Sequence, residues 1–407
     1  MAENRVVILG TGQGGFQLAL SLREEGFAGP IVMVGDEPFL PYQRPPLSKA
    51  FLAGGADEAA VLLRPADFYP EQGIELRTGV RAIRIDRTAR QLLLSNGEAL
   101  AYDHLVLATG ARNRRLPVEG ADLAGVAQLR DLAEAIAIRT ALPALRRVVV
   151  IGAGFIGLEF AATARAQGIE VTVIEAAARP MARAVSLPMG EFFRARHEGN
   201  GIGFRFHDGV RRILGEAGRV VSVETSAGEL IPADLVLVGI GILPNVELAA
   251  DAGLAVEDGI LVDSFMATSD PAISALGDCA RAPNRFALAP LRIESVQNAV
   301  DQARCLAQRL LGRPAAYSAL PWFWSDQGGL KLQIAGLTCP HDPAVVRGDP
   351  ATGGFAVFCF RAGVFLGVES VGRAQDYMLA RRLLAAGIAL TPAHAADIGF
   401  DLKSLLT

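Results

Sequence analysis

Two glycine fingerprints, 142 residues apart, dictate what this chain can fold into. The first is VVILGTGQGG, with its glycines at Gly10, Gly12 and Gly15; the second is VVVIGAGFIGLE, with Gly152, Gly154 and Gly157. Each follows a β-branched run and opens an apolar, alanine-rich stretch that reads as a helix, FQLALSLREEG and LEFAATARAQG. In a strand–turn–helix context the first glycine permits the tight turn, the second admits a pyrophosphate to the backbone, and the third lets helix and sheet pack closely. The phosphates then rest on unpaired N–H groups at the helix start. One such turn is common in α/β proteins. Two, each with an acid about 20 residues further on, imply two dinucleotides bound by one polypeptide.

Length and composition fit that reading. With 407 residues the chain has room for two or three domains, and 51% hydrophobic residues with 44 glycines describe a compact, turn-rich α/β protein. A net charge of −4 argues against a general nucleic-acid binder. The first strand begins near Arg5, which leaves no room for a signal peptide, and the apolar run Val148 to Leu158 is too short to span a bilayer. A cytoplasmic protein with no membrane contact is expected. Cys279, Cys305, Cys339 and Cys359 lie far apart without C-x-x-C spacing and read as reduced thiols. No metal site is expected.

The two halves repeat one plan. Strand 5–10, a helix over 15–25, strand 31–35 and Asp36 are followed by a Pro-rich segment, PFLPYQRPPLSKAFL (Pro38 to Leu52), whose prolines forbid continuous helix or sheet. Strands near 80–85 and 90–95 form a hairpin, and DHLVLATGA (Asp103 to Ala111) is a buried strand ending in Thr109-Gly110. The second half gives strand 147–151, a helix to 167, strand 170–174, Glu175, a helix over 186–199, a hairpin over 210–230, and ADLVLVGIGILPN (Ala233 to Asn245). The remainder lacks a fingerprint and reads as a C-terminal α+β domain. The expected fold is therefore α/β, with two Rossmann-like dinucleotide-binding domains and that third domain.

Fingerprint, ATG-type strand, second fingerprint and A-L-G-D follow the order of the two-dinucleotide, glutathione-reductase-like flavoproteins. Within that superfamily, PYQRPPLSK (Pro41 to Lys49), IGLEFAATAR (Ile156 to Arg165) and PWFWSDQ (Pro321 to Gln327) resemble the FAD-dependent ferredoxin reductases of bacterial oxygenase systems. The resemblance implies an FAD-binding domain over 1–112 and 242–316, an NAD-binding domain over 113–241 and an interface domain over 317–407. It also implies an enzyme that takes electrons from NADH through FAD to an acidic [2Fe–2S] ferredoxin. The chain would work as a monomer or weak dimer. Two alternatives share the scaffold: a rubredoxin reductase, and an NADH-sensing flavoprotein of the apoptosis-inducing-factor type.

The same resemblance assigns roles residue by residue. Gly10, Gly12, Gly14 and Gly15 hold the FAD pyrophosphate, and Asp36 takes the adenosine ribose although it falls one residue later than Glu175 does in the second half. Val80 offers backbone to the adenine, and Ala108, Thr109 and Gly110 line the strand end. Arg44 and Arg130 contact the FAD. Asp278, after Gly277, binds the ribityl chain, and the N–H of Val296 opens a helix aimed at the flavin. Lys49 and Glu159 form an ion pair beside the flavin atom that receives hydride and are the catalytic candidates. Gly152, Gly154, Ile156, Gly157 and Gly241 hold the nicotinamide nucleotide, with Glu175 selecting NADH and Arg183 and Arg179 expected at its pyrophosphate or adenine. Trp324 stands on the exit side, close to Trp322, where Arg304, Arg381, Arg382 and Lys403 are candidates for meeting the partner. The disulfide branches of the superfamily need cysteines that the Pro-rich loop and fingerprint helix lack, so thiol chemistry is not expected.

Overall fold

The computed structural model describes residues 4–406, which group into two compact units. The first contains residues up to 43 with 58–112 and 243–321; the second contains 44–57, 113–242 and the chain from 322. Each unit is built on a five-stranded parallel sheet, and the second also carries the C-terminal antiparallel sheet. The fold class is thus α/β with two Rossmann-like cores and a C-terminal α+β portion.

In the first unit the strand order is Ile273–Ala275, His104–Leu107, Val6–Leu9, Ile31–Val34 and Ile74–Arg77. Parallel strands covered on both faces need unbroken apolar runs, and VVIL and IVMV are buried at every position. The helix Gln13–Glu24 follows the first strand, and the helix Val296–Leu310 packs on it. Gly14 makes that packing possible: a Cβ there would lie 2.5 Å from Leu276 and 3.5 Å from Ala299. The expected hairpin is real and gains a third strand, giving Ala82–Asp86, Gln91–Leu94 and Ala99–Ala101.

The second unit repeats the scheme, in the order Ile202–Phe206, Glu170–Glu175, Arg147–Ile151, Leu235–Val238 and Val126–Ala127. Its fingerprint helix is Phe155–Ala166, and a further helix covers Leu187–Gly199. The Pro-rich segment contributes a short 3-10 turn at Pro45–Ser48. The antiparallel sheet runs Trp322–Gln327, Leu330–Gly336, Val364–Val371, Gly354–Arg361 and Ala344–Asp349. Its first hairpin turns at Gly328 and Gly329, with φ of +56° and +83°, the left-handed pair that a two-residue hairpin requires. That turn pairs Gln327 with Leu330 and fixes the register. Among the described residues no helix is long and apolar enough to cross a membrane.

Candidate active site

Both fingerprint turns leave the same opening. A Cβ at Gly10 would sit 2.1 Å from the Ala108 carbonyl oxygen, and one at Gly152 would sit 2.5 Å from that of Gly239. Gly15 and Gly157 are equally confined, by the carbonyl oxygens of Gly10 and Gly152 at 2.0 and 2.3 Å. The middle glycines, Gly12 and Gly154, face open space. Each is the N-cap of its helix, makes no side-chain cap bond, and is followed by a first turn without an acid. Uncapped N–H groups with free approach and no competing carboxylate suit a pyrophosphate, so both sites fit a dinucleotide.

The acids at the second-strand ends differ. Glu175 accepts from the Ala153 N–H at 2.7 Å and the Ala177 N–H at 2.8 Å, which fixes its carboxylate at the mouth of the turn. Asp36 is largely exposed, with Arg81 3.9 Å away. The one-residue offset has a steric cause. A Cβ at Gly35 would lie 2.3 Å from the Thr11 hydroxyl, so no acid fits there.

Other sequence-predicted residues take up the following places. Thr109 and Asn245 clasp each other: the Thr109 hydroxyl donates to the Asn245 carbonyl at 2.7 Å and the Asn245 amide donates to the Thr109 carbonyl at 2.8 Å. The Gly110 carbonyl accepts from the Asn245 N–H at 2.9 Å. Sequence reasoning assigned Asn245 no role. Gly277 has φ +77° and donates its N–H to Gln302 at 2.7 Å, with Asp278 half-buried beside it. The long helix that follows is capped by Ser295, which accepts from Asn298 and leaves the Val296 N–H to another partner. Arg44 donates to the Arg130 carbonyl at 2.7 Å, while the Arg130 N–H is held by Glu134 at 2.6 Å. Ile156 is exposed on the first turn of its helix. A Cβ at Gly241 would lie within 4 Å of both Arg183 and Arg114, and sequence reasoning assigned Arg114 no role.

One expectation needs correction and another narrows. Arg179 is buried and donates to the carbonyls of Pro180, Ala182 and Val185, so its guanidinium is spent on bracing its own loop. The N–H of Val80 is spent on the Gly35 carbonyl at 2.9 Å, so only its carbonyl is left to meet an adenine.

The densest chemistry lies around Glu159, two residues past Gly157. Its carboxylate is buried, with 2% of the side chain exposed, and Lys49 stands 3.1 Å away. The Ser48 hydroxyl donates to Glu159 Oε2 at 2.5 Å and the Ser325 hydroxyl donates to Oε1 at 2.6 Å. Lys49 also faces Asp326 at 3.7 Å. The sequence contains three lysines against 36 arginines, which makes a lysine at this position the more distinctive. A compact ammonium, unlike a guanidinium fork, can be drawn to one carboxylate oxygen. Along the strand Trp322–Gln327 alternate side chains part company: Ser325 and Gln327 are buried, while Trp322, Trp324 and Asp326 are half-exposed. The rings of Trp322 and Trp324 lie 5.8 Å apart, and the Arg381 guanidinium covers Trp322 at 4.4 Å. Arg304, Arg382 and Lys403 are exposed.

Burial pushes the thiols of Cys279 and Cys359 up and that of Cys305 up to about 11, the opposite of a reactive thiolate.

Residues 4–303 match the family model described as pyridine nucleotide-disulphide oxidoreductase, and residues 322–406 match the reductase C-terminal model. The chain is 52% identical over 398 residues to rhodocoxin reductase of Rhodococcus erythropolis, covering 98% of this chain and 93% of that one. A ferredoxin reductase for the CYP199A2 system from Rhodopseudomonas palustris superposes with a TM-score of 0.97 at 50% identity, covering 99% and 100% of the two chains. The covalent putidaredoxin reductase–putidaredoxin complex gives a TM-score of 0.96 at 40% identity, with 100% and 99% coverage.

Proposed function

The chain belongs to the pyridine nucleotide-disulphide oxidoreductase family, and within it we propose an NADH-dependent, FAD-containing ferredoxin reductase that feeds an oxygenase. The observation that carries this reading is the pairing of Lys49 with the buried Glu159 carboxylate near the head of the second fingerprint helix, beside a loop without a cysteine. FAD, when bound, supplies the exchange between a two-electron donor and a one-electron acceptor.

The residues of the chain then divide the work. Gly10, Gly12 and Gly15 open the first helix to the FAD pyrophosphate, and Asp36 meets the ribose. Asp278 anchors the ribityl chain, and the N–H of Val296 presents a positive helix end to the flavin. Gly152, Gly154 and Gly157 open the second helix to the nicotinamide nucleotide. Glu175, already aimed by two backbone N–H groups, accepts from ribose hydroxyls and repels a 2′-phosphate. Lys49 and Glu159 stand at the reacting edge of the flavin, where the ammonium favours negative charge and the carboxylate keeps the ammonium in place. Trp324 faces the exit side. The domain assignment follows these roles: FAD on 1–112 with 242–316, NADH on 113–241, and the interface portion on 317–407.

The acceptor we assign is an acidic [2Fe–2S] ferredoxin meeting Arg304, Arg381, Arg382 and Lys403, with the reductase a cytoplasmic monomer or weak dimer. Reduction of a panel of ferredoxins and rubredoxins tests the acceptor, and a preference for rubredoxin would replace it. Lys49→Met tests the site. The substitution leaves the buried Glu159 carboxylate without its cation, and stopped-flow reduction by NADH should slow by a hundredfold or more, on the order of 3 kcal/mol in the barrier. Reduction at the wild-type rate would remove the pair from the reaction.

A further inference from the structure

Behind Glu159 a file of buried polar side chains continues away from Lys49. The Ser325 hydroxyl donates to Glu159 Oε1 at 2.6 Å, Gln327 Nε2 donates to Ser325 Oγ at 3.1 Å, and Gln327 Oε1 meets His197 Nε2 at 2.9 Å. Glu159, Ser325, Gln327 and His197 are all at most 3% exposed. We propose that Ser325, Gln327 and His197 form a positioning relay that aims the Glu159 carboxylate and, through it, the Lys49 ammonium.

Proton counting gives the file one direction. A carboxylate only accepts, and a serine hydroxyl owns a single proton. With that proton committed to Glu159, Ser325 can only accept from Gln327, so the amide nitrogen must face it. The amide oxygen is thereby turned to His197, whose Nε2 must carry the hydrogen. His197 Nδ1 is then left bare, and it is one of the buried ring nitrogens without a partner among the described residues. The second amide hydrogen of Gln327 points to the Met181 sulfur at 3.5 Å. Burial lowers the His197 pKa, which favours the neutral ring this arrangement uses. On the far side the Ser48 hydroxyl holds Oε2, and the Thr163 hydroxyl shares its one proton between the Glu159 carbonyl at 2.9 Å and the Ser48 carbonyl at 3.1 Å.

The relay decides between two partners for Lys49. Glu159 lies at 3.1 Å and is buried; Asp326 lies at 3.7 Å and is 44% exposed. A satisfied buried network selects one arrangement. Without the Ser325 donor Oε1 is no longer held on its buried side, the carboxylate can pivot about the Ser48 bond, and Lys49 shifts toward exposed Asp326. The relay concerns the same pair as the proposed function, yet its first readout is independent of turnover.

Acetic anhydride labelling of the purified holoprotein, mapped by mass spectrometry, reads Lys49 directly, with exposed Lys331 and Lys403 as internal references. In the wild type Lys49 should label more slowly than either. Ser325→Ala and Gln327→Met should each raise its labelling relative to the references, and Ser325→Thr should restore it. The limiting rate of flavin reduction should fall about tenfold in Ser325→Ala, the size of one hydrogen bond to a charged group, with half-saturating NADH unchanged. Unchanged Lys49 labelling in both variants, or a Ser325→Thr variant as perturbed as Ser325→Ala, would overturn the relay. So would a ¹⁵N spectrum of the wild type showing His197 protonated at Nδ1, which needs no variant to fold. Faster labelling with an unchanged reduction rate keeps the relay and removes the Lys49–Glu159 pair from the reaction.

Discussion

The two fingerprint turns close alike and differ in what occupies the space between the turn and the end of the second strand. In the second unit Ala153 follows the first glycine, its small side chain leaves that space open, and the Glu175 carboxylate enters to accept the Ala153 N–H. In the first unit Thr11 holds the corresponding position and its side chain fills the space, so the strand must end in Gly35 and the acid falls to Asp36. Each turn is therefore a coupled pair, Thr11 with Gly35 and Ala153 with Glu175. The acid at the strand end is buttressed by backbone in one unit and exposed in the other. A choice between NADH and NADPH is better supported by the buttressed acid, because a fixed carboxylate cannot swing away from a 2′-phosphate.

The largest effect that would sharpen this contrast is cofactor choice. Wild-type enzyme should favour NADH over NADPH about a hundredfold in kcat/KM, on the order of 3 kcal/mol. Glu175→Ala should shrink that gap chiefly by weakening NADH, and Ala153→Thr should push in the same direction by crowding the carboxylate. Steady-state kinetics with both nucleotides checks this, and equal use of them by the wild type would break the assignment.

A smaller effect belongs to the first pair. Gly35→Ala should destabilise by about 1–3 kcal/mol through overpacking against Thr11. Thr11→Ala in the same chain should recover most of that loss, a coupling that thermal unfolding of the four members of the cycle would measure. Additive losses would show that the two residues do not compete for one space.

The smallest expected effect separates the units by acid response. Equivalent strands begin with His104 in the first unit and Leu235 in the second, where Asp234 stands just before the strand. Burial, then the Arg309 charge, lowers the His104 pKa to about 4, and its ring meets Ser274 at 2.9 Å. Because the unfolded ring protonates first, its contribution is complete above pH 6.5 and is lost as pH falls toward 4. From pH 7 to 5.5 that is roughly 1 kcal/mol. Asp234 accepts from the N–H groups of Arg146 and Arg147, which hold its pKa below the ordinary value against the cost of burial. Its contribution survives to lower pH and is lost only as its carboxylate protonates. Denaturant titrations at pH 7 and 5.5 should show a smaller stability difference for His104→Gln than for wild type; identical differences would contradict the assignment.

The parts of this architecture governed by local spacing were legible in the sequence. Glycine positions, β-branched runs and strand-end acids each constrain their neighbours within a few residues, and the parallel sheets followed. Lys49 and Glu159 were legible through resemblance. Their supports were not: Ser48 and Ser325 reach Glu159 across 111 and 166 residues, and serine alone carries no signal of a buried partner. Gln327 and His197 were hidden for the same reason. Arg179 misled because an arginine beside a strand-end acid has the same letter whether it faces a phosphate or its own loop. The Thr11–Gly35 conflict was visible only as an unexplained offset, since the clash depends on a side-chain position that no periodicity encodes.

The centre around Glu159 draws Ser48 and Lys49 from near the start of the chain, Glu159 itself from the middle, and Ser325 from near the end. During synthesis on a ribosome, four-fifths of the polypeptide must emerge before the carboxylate can find all of its donors. The parallel sheet of the first unit has a similar delay, because its edge strand Ile273–Ala275 pairs with His104–Leu107, which was made long before it. Contacts of such sequence separation slow folding. The cluster around Glu159 is therefore a product of late assembly, and no amino-terminal fragment that stops short of Ser325 could carry it.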